Sequence, residues 1–213
     1  MAECAQSFVV FLRFICMEND LKNEIAIEHH PWEAFAPENA KVLILGTFPP
    51  PAKRWSMDFF YPNRTNDFWF MMGLLFFGDR NALYDSESRT FRLDDIKRLL
   101  TERGIAMKDS AEAVRRLAGN ASDKFLEIVK PVDLESLLRR MPECRTLAST
   151  GEKAAAVIAS LTGTEVPRMG CFATSADGLT IWRMPSTSRA YPLALEKKAA
   201  YYAELFRSAG VML

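Results

Sequence analysis

Four cysteines in 213 residues, Cys4, Cys16, Cys144 and Cys171, show no close paired spacing, so neither a zinc site nor an iron–sulfur cluster is indicated. A reduced, cytoplasmic protein is the simplest reading. Histidine is scarcer still. His29 and His30 are adjacent, lack a metal-ligand pattern and precede Pro31, which predicts an ordinary surface or turn role. No metal and no cofactor is therefore expected. Net charge is also absent, 27 basic side chains standing against 27 acidic ones, which argues against coating a polyanion by bulk attraction. Long apolar runs are missing too: Phe8 to Cys16 is broken by Arg13 and falls far short of the roughly 20 residues that span a bilayer. It lacks the basic region in front that a secretory signal requires, so no membrane partner is expected, and Met17 is an alternative start. No internal repeat, low-complexity tract or Gly/Ser-rich linker divides the chain.

What is present is enough apolar material for a core. A hydrophobic content of 49% in 213 residues fits one domain, or a domain plus a tail. Charge is unevenly placed, however. Residues 1–40 carry two basic and seven acidic side chains, and the stretch from Arg168 onwards carries six basic and three acidic ones. That local surplus is either a phosphate-binding patch or a solvated helix face.

Hydrophobic patterning gives an alternation of elements. Lys41 to Leu45 reads as a central strand ending at a glycine, and Asn66 to Phe77 as a helix apolar on nearly every face, hence well buried. Leu93 to Glu102 reads as a helix stopped by Gly104, and Asp133 to Arg140 as one capped by Asp133. Arg145 to Ser149 is a strand, Gly151 to Leu161 an Ala-rich helix, Thr180 to Met184 the last strand and Leu193 to Ala209 the last helix. This order predicts an α/β protein, a three-layer α/β/α sandwich with a central, mainly parallel sheet of about four strands.

Two loops stand out at the ends of that domain. Gly46-Thr47-Phe48-Pro49-Pro50 follows the first strand and Pro185-Ser186-Thr187-Ser188-Arg189 the last, where open α/β sheets hold their ligands. Pro49, Pro50 and Pro51 stiffen the first loop, so the amides of Thr47 and Phe48 are aimed without an ordering cost at binding; a plain strand exit is the alternative. Between the loops lies Phe59-Phe60-Tyr61-Pro62-Asn63-Arg64-Thr65-Asn66-Asp67-Phe68-Trp69. If this stretch is extended its three leading rings cannot share one face, so at least one lines a cleft. Asn66 is placed either to serve that cleft or to cap the helix behind it. Together these features suggest a pocket for a flat, polar ring.

These landmarks, with Thr150-Gly151-Glu152-Lys153-Ala154 between them, resemble in order those of the uracil-DNA glycosylase superfamily, most closely its mismatch-specific and hypoxanthine-DNA glycosylase branches. The resemblance runs from Lys41 to the C-terminus, giving a domain over 41–213 and an N-terminal extension over 1–40. It implies a monomeric, monofunctional glycosylase acting on damaged DNA in base-excision repair, which everts a deaminated base, hypoxanthine before uracil, and hydrolyses its bond to deoxyribose. By the same resemblance Phe59 is the stacking ring. Gly46, Thr47, Phe48, Pro49, Tyr61 and Ser186 contact the base, and Thr187, Ser188 and Arg189 contact DNA, Arg189 as wedge or phosphate contact. Two departures stand out: Phe48 occupies a position that often holds a catalytic Asp or Asn, and Ser186 one that often holds His or Asn. In the hypoxanthine-type branch a downstream Asn takes over, here Asn66, which positions water without being a strong base. The alternative is a lesion-binding protein of the same fold with little or no turnover. Asp109 is read as a structural hydrogen-bonder, Asp67 as an exposed first-turn carboxylate, and Trp69 and Trp182 as core.

Overall fold

The computed structural model describes residues 25–118 and 122–212. Cys4, Cys16, the Phe8–Cys16 run and Met17 lie outside the described residues. The central sheet has five strands in the order β5-β2-β8-β10-β9. They are β2 (Val42–Gly46), β5 (Ile105–Asp109), β8 (Thr146–Thr150), β9 (Phe172–Thr174) and β10 (Thr180–Met184). The first four in that order run parallel, and β9 is an antiparallel edge. The mainly parallel sheet matches the sequence reading, which located β2, β8 and β10; β5 and the short β9 are added by the structure.

Every residue of β2, β5 and β8 is buried, as expected of parallel strands covered on both faces. Side chains alternate between two cores. Val42, Ile44 and Met107 meet α1 (Phe68–Phe77), α2 (Leu93–Arg103) and α5 (Leu195–Ser208). Leu43, Leu45 and Ile181 meet α3 (Leu134–Arg139) and α4 (Glu152–Thr162). Three layers result. The all-round apolar α1 lies in the first core, with Phe68 to Gly73 buried, and Trp69 and Trp182 are core as read. Local signals set the ends of the other helices: Gly104 closes α2 in the left-handed region, and Asp133 accepts the Ser136 amide at the start of α3.

Beside the main sheet stands a three-stranded antiparallel one that the sequence reading did not foresee. It has the order β1-β6-β7, with β1 (Ile27–His29), β6 (Ala111–Arg116) and β7 (Leu126–Pro131). A small hairpin, β3 (Tyr84–Asp85) with β4 (Thr90–Phe91), projects between α1 and α2. Residues 25–40, which fall in the expected extension, are knitted to the domain. β1 pairs with β6, and Phe35 exchanges both backbone hydrogen bonds with Met107 along the open edge of β5. That coverage protects an otherwise bare strand edge. Among the described residues no helix is long and apolar enough to cross a membrane.

The chain leaves β2 towards β5 on one side and later returns to β8 on the other. The crevice at this reversal, at the carboxyl ends of the strands, is where such sheets open a binding site. Gly46, Asp109 and Thr150 lie on that edge, as do the loops that follow β2 and β10.

Candidate functional site

A hollow of about 650 Å³ occupies this crevice, within the ~300–1,000 Å³ range of small-molecule pockets. Its walls come from three distant stretches: Gly46 to Pro50, Tyr61 to Asn66 without Arg64, and Ser186 to Pro192. Arg54, Asp109, Ser122, Asp123, Lys124 and Thr150 complete it. A second hollow of about 860 Å³ adjoins it across Asp123 and Ser186. That one is lined by Ile128, Pro131, Val157 and Leu161 together with Lys124, Glu152, Lys153 and Ser160, whereas the loops after β2 and β10 meet in the first.

Two distant parts of the chain, the start of α1 and the loop after β10 with α5, are fastened together beside the hollow. Asp67, just before α1, receives Lys198 Nζ on Oδ2 at 2.8 Å and Arg189 Nε on Oδ1 at 2.9 Å. Its own amide donates to Thr187 O at 2.8 Å, Lys198 Nζ donates to Ser188 O at 2.9 Å, and Asn66 bridges to Ser188. Lys198 is fully buried and Asp67 only 7% exposed. The reading of Asp67 as an exposed carboxylate is thus corrected: it is the anion at the centre of a buried clamp. Burial pushes its pKa up, but the hydrogen bonds from Lys198 and Arg189 outweigh this and hold it below the usual carboxylate value. Two of the six cations that make the C-terminal surplus are thereby taken up internally. Arg189 lies over the Phe70 ring, 5.1 Å from its centre, and is among the residues that line the hollow.

Each expected site residue has a definite place. Gly46, Thr47, Phe48, Pro49, Tyr61, Asn66 and Ser186 to Arg189 all line the hollow. Phe59 does not. It is 6% exposed and packs against Phe35, Phe60 and Trp69 in the core, because residues 55–61 bend rather than run as a strand. The cleft-facing ring of that segment is Tyr61, held in the left-handed region at φ 52°, a strained conformation for a bulky residue. Its ring stacks on Phe68 at 4.0 Å and its hydroxyl shares a 2.7 Å hydrogen bond with Thr150 Oγ1. Burial, then the neighbouring Tyr202 and Asp109, keep it a neutral phenol by raising its pKa well above 10. Thr187 is buried with its carbonyl bonded, so its side chain is not a surface contact. Ser186 and Ser188 hydroxyls accept the amides of Ser188 and Ala190, rigidifying the loop.

Asn66 serves both readings. Oδ1 accepts the Phe68 amide at 2.9 Å, a cap-like bond, while Nδ2 has no partner among the described residues.

Three ionisable groups at the site escaped the sequence reading of function. Asp109 Oδ2 meets His30 Nε2 at 3.0 Å. His30 Nδ1 lies 2.9 Å from Trp32 O and 3.2 Å from the Trp32 amide nitrogen; with Nε2 protonated the ring donates to Asp109. The His30 side chain is therefore a buried partner of the site, where an ordinary surface or turn role was expected, and the Phe48 ring stands edge-on to it at 5.5 Å. The third is Asp123, in the connection from β6 to β7, which accepts Thr47 Oγ1 at 2.7 Å. Burial raises its pKa, the Thr47 hydrogen bond opposes this and the charge of Asp109 adds to it. A carboxyl so placed is a stronger base than a solvated one. Nothing local marks Asp123 or His30 in the sequence; Asp109 carried the one available signal, a polar residue closing an apolar strand. Among the described residues no group of three or more His, Cys, Asp or Glu side chains is placed to hold a metal.

Gly46 is required by close approach. A Cβ there would lie 2.3 Å from Asp109 Oδ1. Gly46→Ala is therefore expected to dislodge the Asp109 carboxylate from His30, lowering stability by about 1–3 kcal/mol, and thermal denaturation at neutral pH measures this. A change below 0.3 kcal/mol would show that the two groups do not constrain each other.

No family model and no curated protein matches this chain. Among solved structures it resembles the solution NMR structure of a protein from Methanosarcina acetivorans provisionally described as a uracil DNA glycosylase. The TM-score is 0.57 at 21% identity, over 87% of this chain and 99% of that one. What the two share at this identity is the fold.

Proposed function

We propose that this chain is a monofunctional DNA glycosylase of the uracil-DNA glycosylase superfamily, acting on a deaminated base with hypoxanthine preferred. The observation that carries the proposal is the convergence of Tyr61, Phe48, Asn66, Asp109 and Asp123 on one hollow at the strand ends. The shared fold supports it.

The base enters beside the Phe48 and Tyr61 rings, and stacking on such rings is worth about 1–3 kcal/mol per base. Hypoxanthine and uracil each present an N–H flanked by carbonyl oxygen. Asp109, held by His30, accepts that N–H, while the Asn66 Nδ2 amide donates to an oxygen of the base, sugar or water. Water adds to C1′ as the N-glycosidic bond breaks. Its proton passes to Asp123, and the electron pair leaves with the base, which takes up a proton. Phe48 supplies no base in the first loop, so the role of water activation falls to a carboxylate from another element.

Incubation with duplexes bearing single deoxyinosine or deoxyuridine, followed by alkali, tests the activity directly. Strand scission is expected, faster on deoxyinosine. Asn66→Ala is expected to lower scission about 10–100-fold with DNA binding retained, and Phe59→Ala to lose stability by ~3–5 kcal/mol without a specific loss of stacking. Absence of scission by the unaltered protein at enzyme excess ends the proposal.

A second reading, a lesion-binding protein without turnover, draws on the commitment of Asn66 Oδ1 to the Phe68 amide. It differs by giving salt-sensitive lesion binding with no released base.

A further inference from the structure

Next to the hollow, and sharing Arg54, Asn63, Thr65 and Arg189 with it, lies a cleft of about 850 Å³. Its other cations are Lys53, Arg64 and Arg89, and no Asp or Glu lines it among the described residues. Lys53, Arg54, Arg64 and Arg89 are exposed and form no ion pair among the described residues. Of the acids nearby in sequence, Asp58 accepts the Trp32 indole N–H at 2.5 Å, and Asp85 accepts the amides of Glu87 and Ser88 and the hydroxyl of Ser88 in the cleft wall; neither these nor Glu87 lines the cleft. The chain as a whole is neutral, so this concentration of one sign is local.

Unpaired like charges around one concavity repel each other and are relieved by an anion. The aromatic rings of Trp55 and Tyr84 share the wall with them. Trp55 is fixed by its indole N–H on Pro50 O at 2.7 Å and by the Trp32 ring 4.7 Å away. Cations interleaved with fixed aromatic rings form the groove chemistry that tracks a nucleic-acid strand, phosphates on the cations and bases on the rings. Arg89 adds a second sign of function. It is a long cationic residue held at φ 54°, at the end of the β3–β4 turn, where glycine would relax the backbone.

We propose that this cleft binds the DNA backbone on one side of the everted nucleotide, carrying the contact beyond Arg189 of the Ser186–Arg189 loop. The choice of DNA over another polyanion rests on the reading of the adjoining hollow; the anion-binding character rests on the cleft alone.

The test compares the full chain with Lys53→Gln/Arg64→Gln/Arg89→Gly, none of which lines the hollow. Binding of a labelled, undamaged oligonucleotide, single-stranded and duplex, is followed by anisotropy over a salt series. The slope of log affinity against log salt is expected to shrink by about 2–3, with affinity at low salt reduced about tenfold or more. Arg89→Gly alone is expected to weaken binding while leaving the melting temperature unchanged or higher, which a merely structural Arg89 would not do. With lesion oligonucleotides, moving the lesion towards one end and not the other is expected to weaken binding by the unaltered protein, and the triple variant is expected to lose that asymmetry. Slope and affinity within twofold of the unaltered protein overturn the proposal. So does loss of binding to polyglutamate or anionic vesicles with DNA binding intact. If the unaltered protein releases no base yet binds DNA through these cations, the cleft stands and the glycosylase reading falls.

Discussion

Asp123→Asn is expected to slow base release by roughly 10²–10⁴-fold, the usual contribution of a general base, and to do so without unfolding the protein. The geometry gives the reason. Asp123 is held by Thr47 Oγ1 at 2.7 Å on the wall of the hollow, and burial with the nearby Asp109 charge lifts its pKa. A raised carboxyl pKa means that the folded chain binds the proton more tightly than the unfolded chain does. The associated stability is present below the unfolded value, near 3.9, and is lost as pH rises through the higher folded value. At pH 7 the wild-type side chain therefore carries the full cost of a partly desolvated charge. An amide of the same shape removes that cost and keeps an acceptor for Thr47, so the variant melts at the same temperature or higher. In the wild type kcat/KM falls on the acid side with an apparent pKa above that of an ordinary Asp, and this limb disappears in the variant. Normal turnover by a folded Asp123→Asn protein would remove Asp123 from the reaction and return water activation to Asn66.

The second large effect concerns the clamp. Lys198→Met removes a fully buried ammonium and leaves Asp67 with Arg189 alone. Breaking one side of a buried pair costs about 3–5 kcal/mol. For a domain of this size that is a drop in melting temperature of roughly 6–20 °C. Removing the charge on both sides, as Asp67→Leu/Lys198→Met, is expected to cost less than the sum of the single changes, because no orphaned charge is left behind. The acid limb gives an independent measurement. Asp67 has a lowered pKa, so its contribution is present above the unfolded carboxylate value and is lost as pH falls through the folded one. Lys198→Met should flatten that part of the stability profile. Because Lys198 also holds Ser188 O, activity is expected to fall even where the variant remains folded. Additive single and double changes, or a Lys198→Met cost under 1 kcal/mol, would show that the clamp does not hold the loop.

The clamp also explains a difference between the two kinds of expectation drawn from the sequence. Arg189 was identified by its place in the Pro185–Arg189 loop, and the structure does bring it to the hollow. Its Nε, however, is bonded to Asp67, a residue 122 positions earlier. No local pattern reveals such a partner. Phe59 and Tyr61 differ in the same way: adjacent rings in one aromatic stretch, of which the bend of the chain buries the first and turns the third to the cleft. Asn66 was open between capping and the cleft in sequence, and the fold gives each role one end of the same amide.

Periodicity, caps and glycine stops determined three of the four parallel strands and the five helices to within two residues at their ends, because these are short-range properties of a buried strand or an amphipathic helix. Motif order likewise placed both loops at one edge of the sheet. The tertiary structure alone decided the antiparallel sheet of β1, β6 and β7, whose strands carry polar side chains and lack a clean alternation. It alone brought His30, Asp109 and Asp123 together, and it alone gathered Lys53, Arg64 and Arg89 around one cleft in a chain of zero net charge. Contacts between residues tens of positions apart have no period along the chain, so their chemistry becomes legible only when the sheet has set the distances.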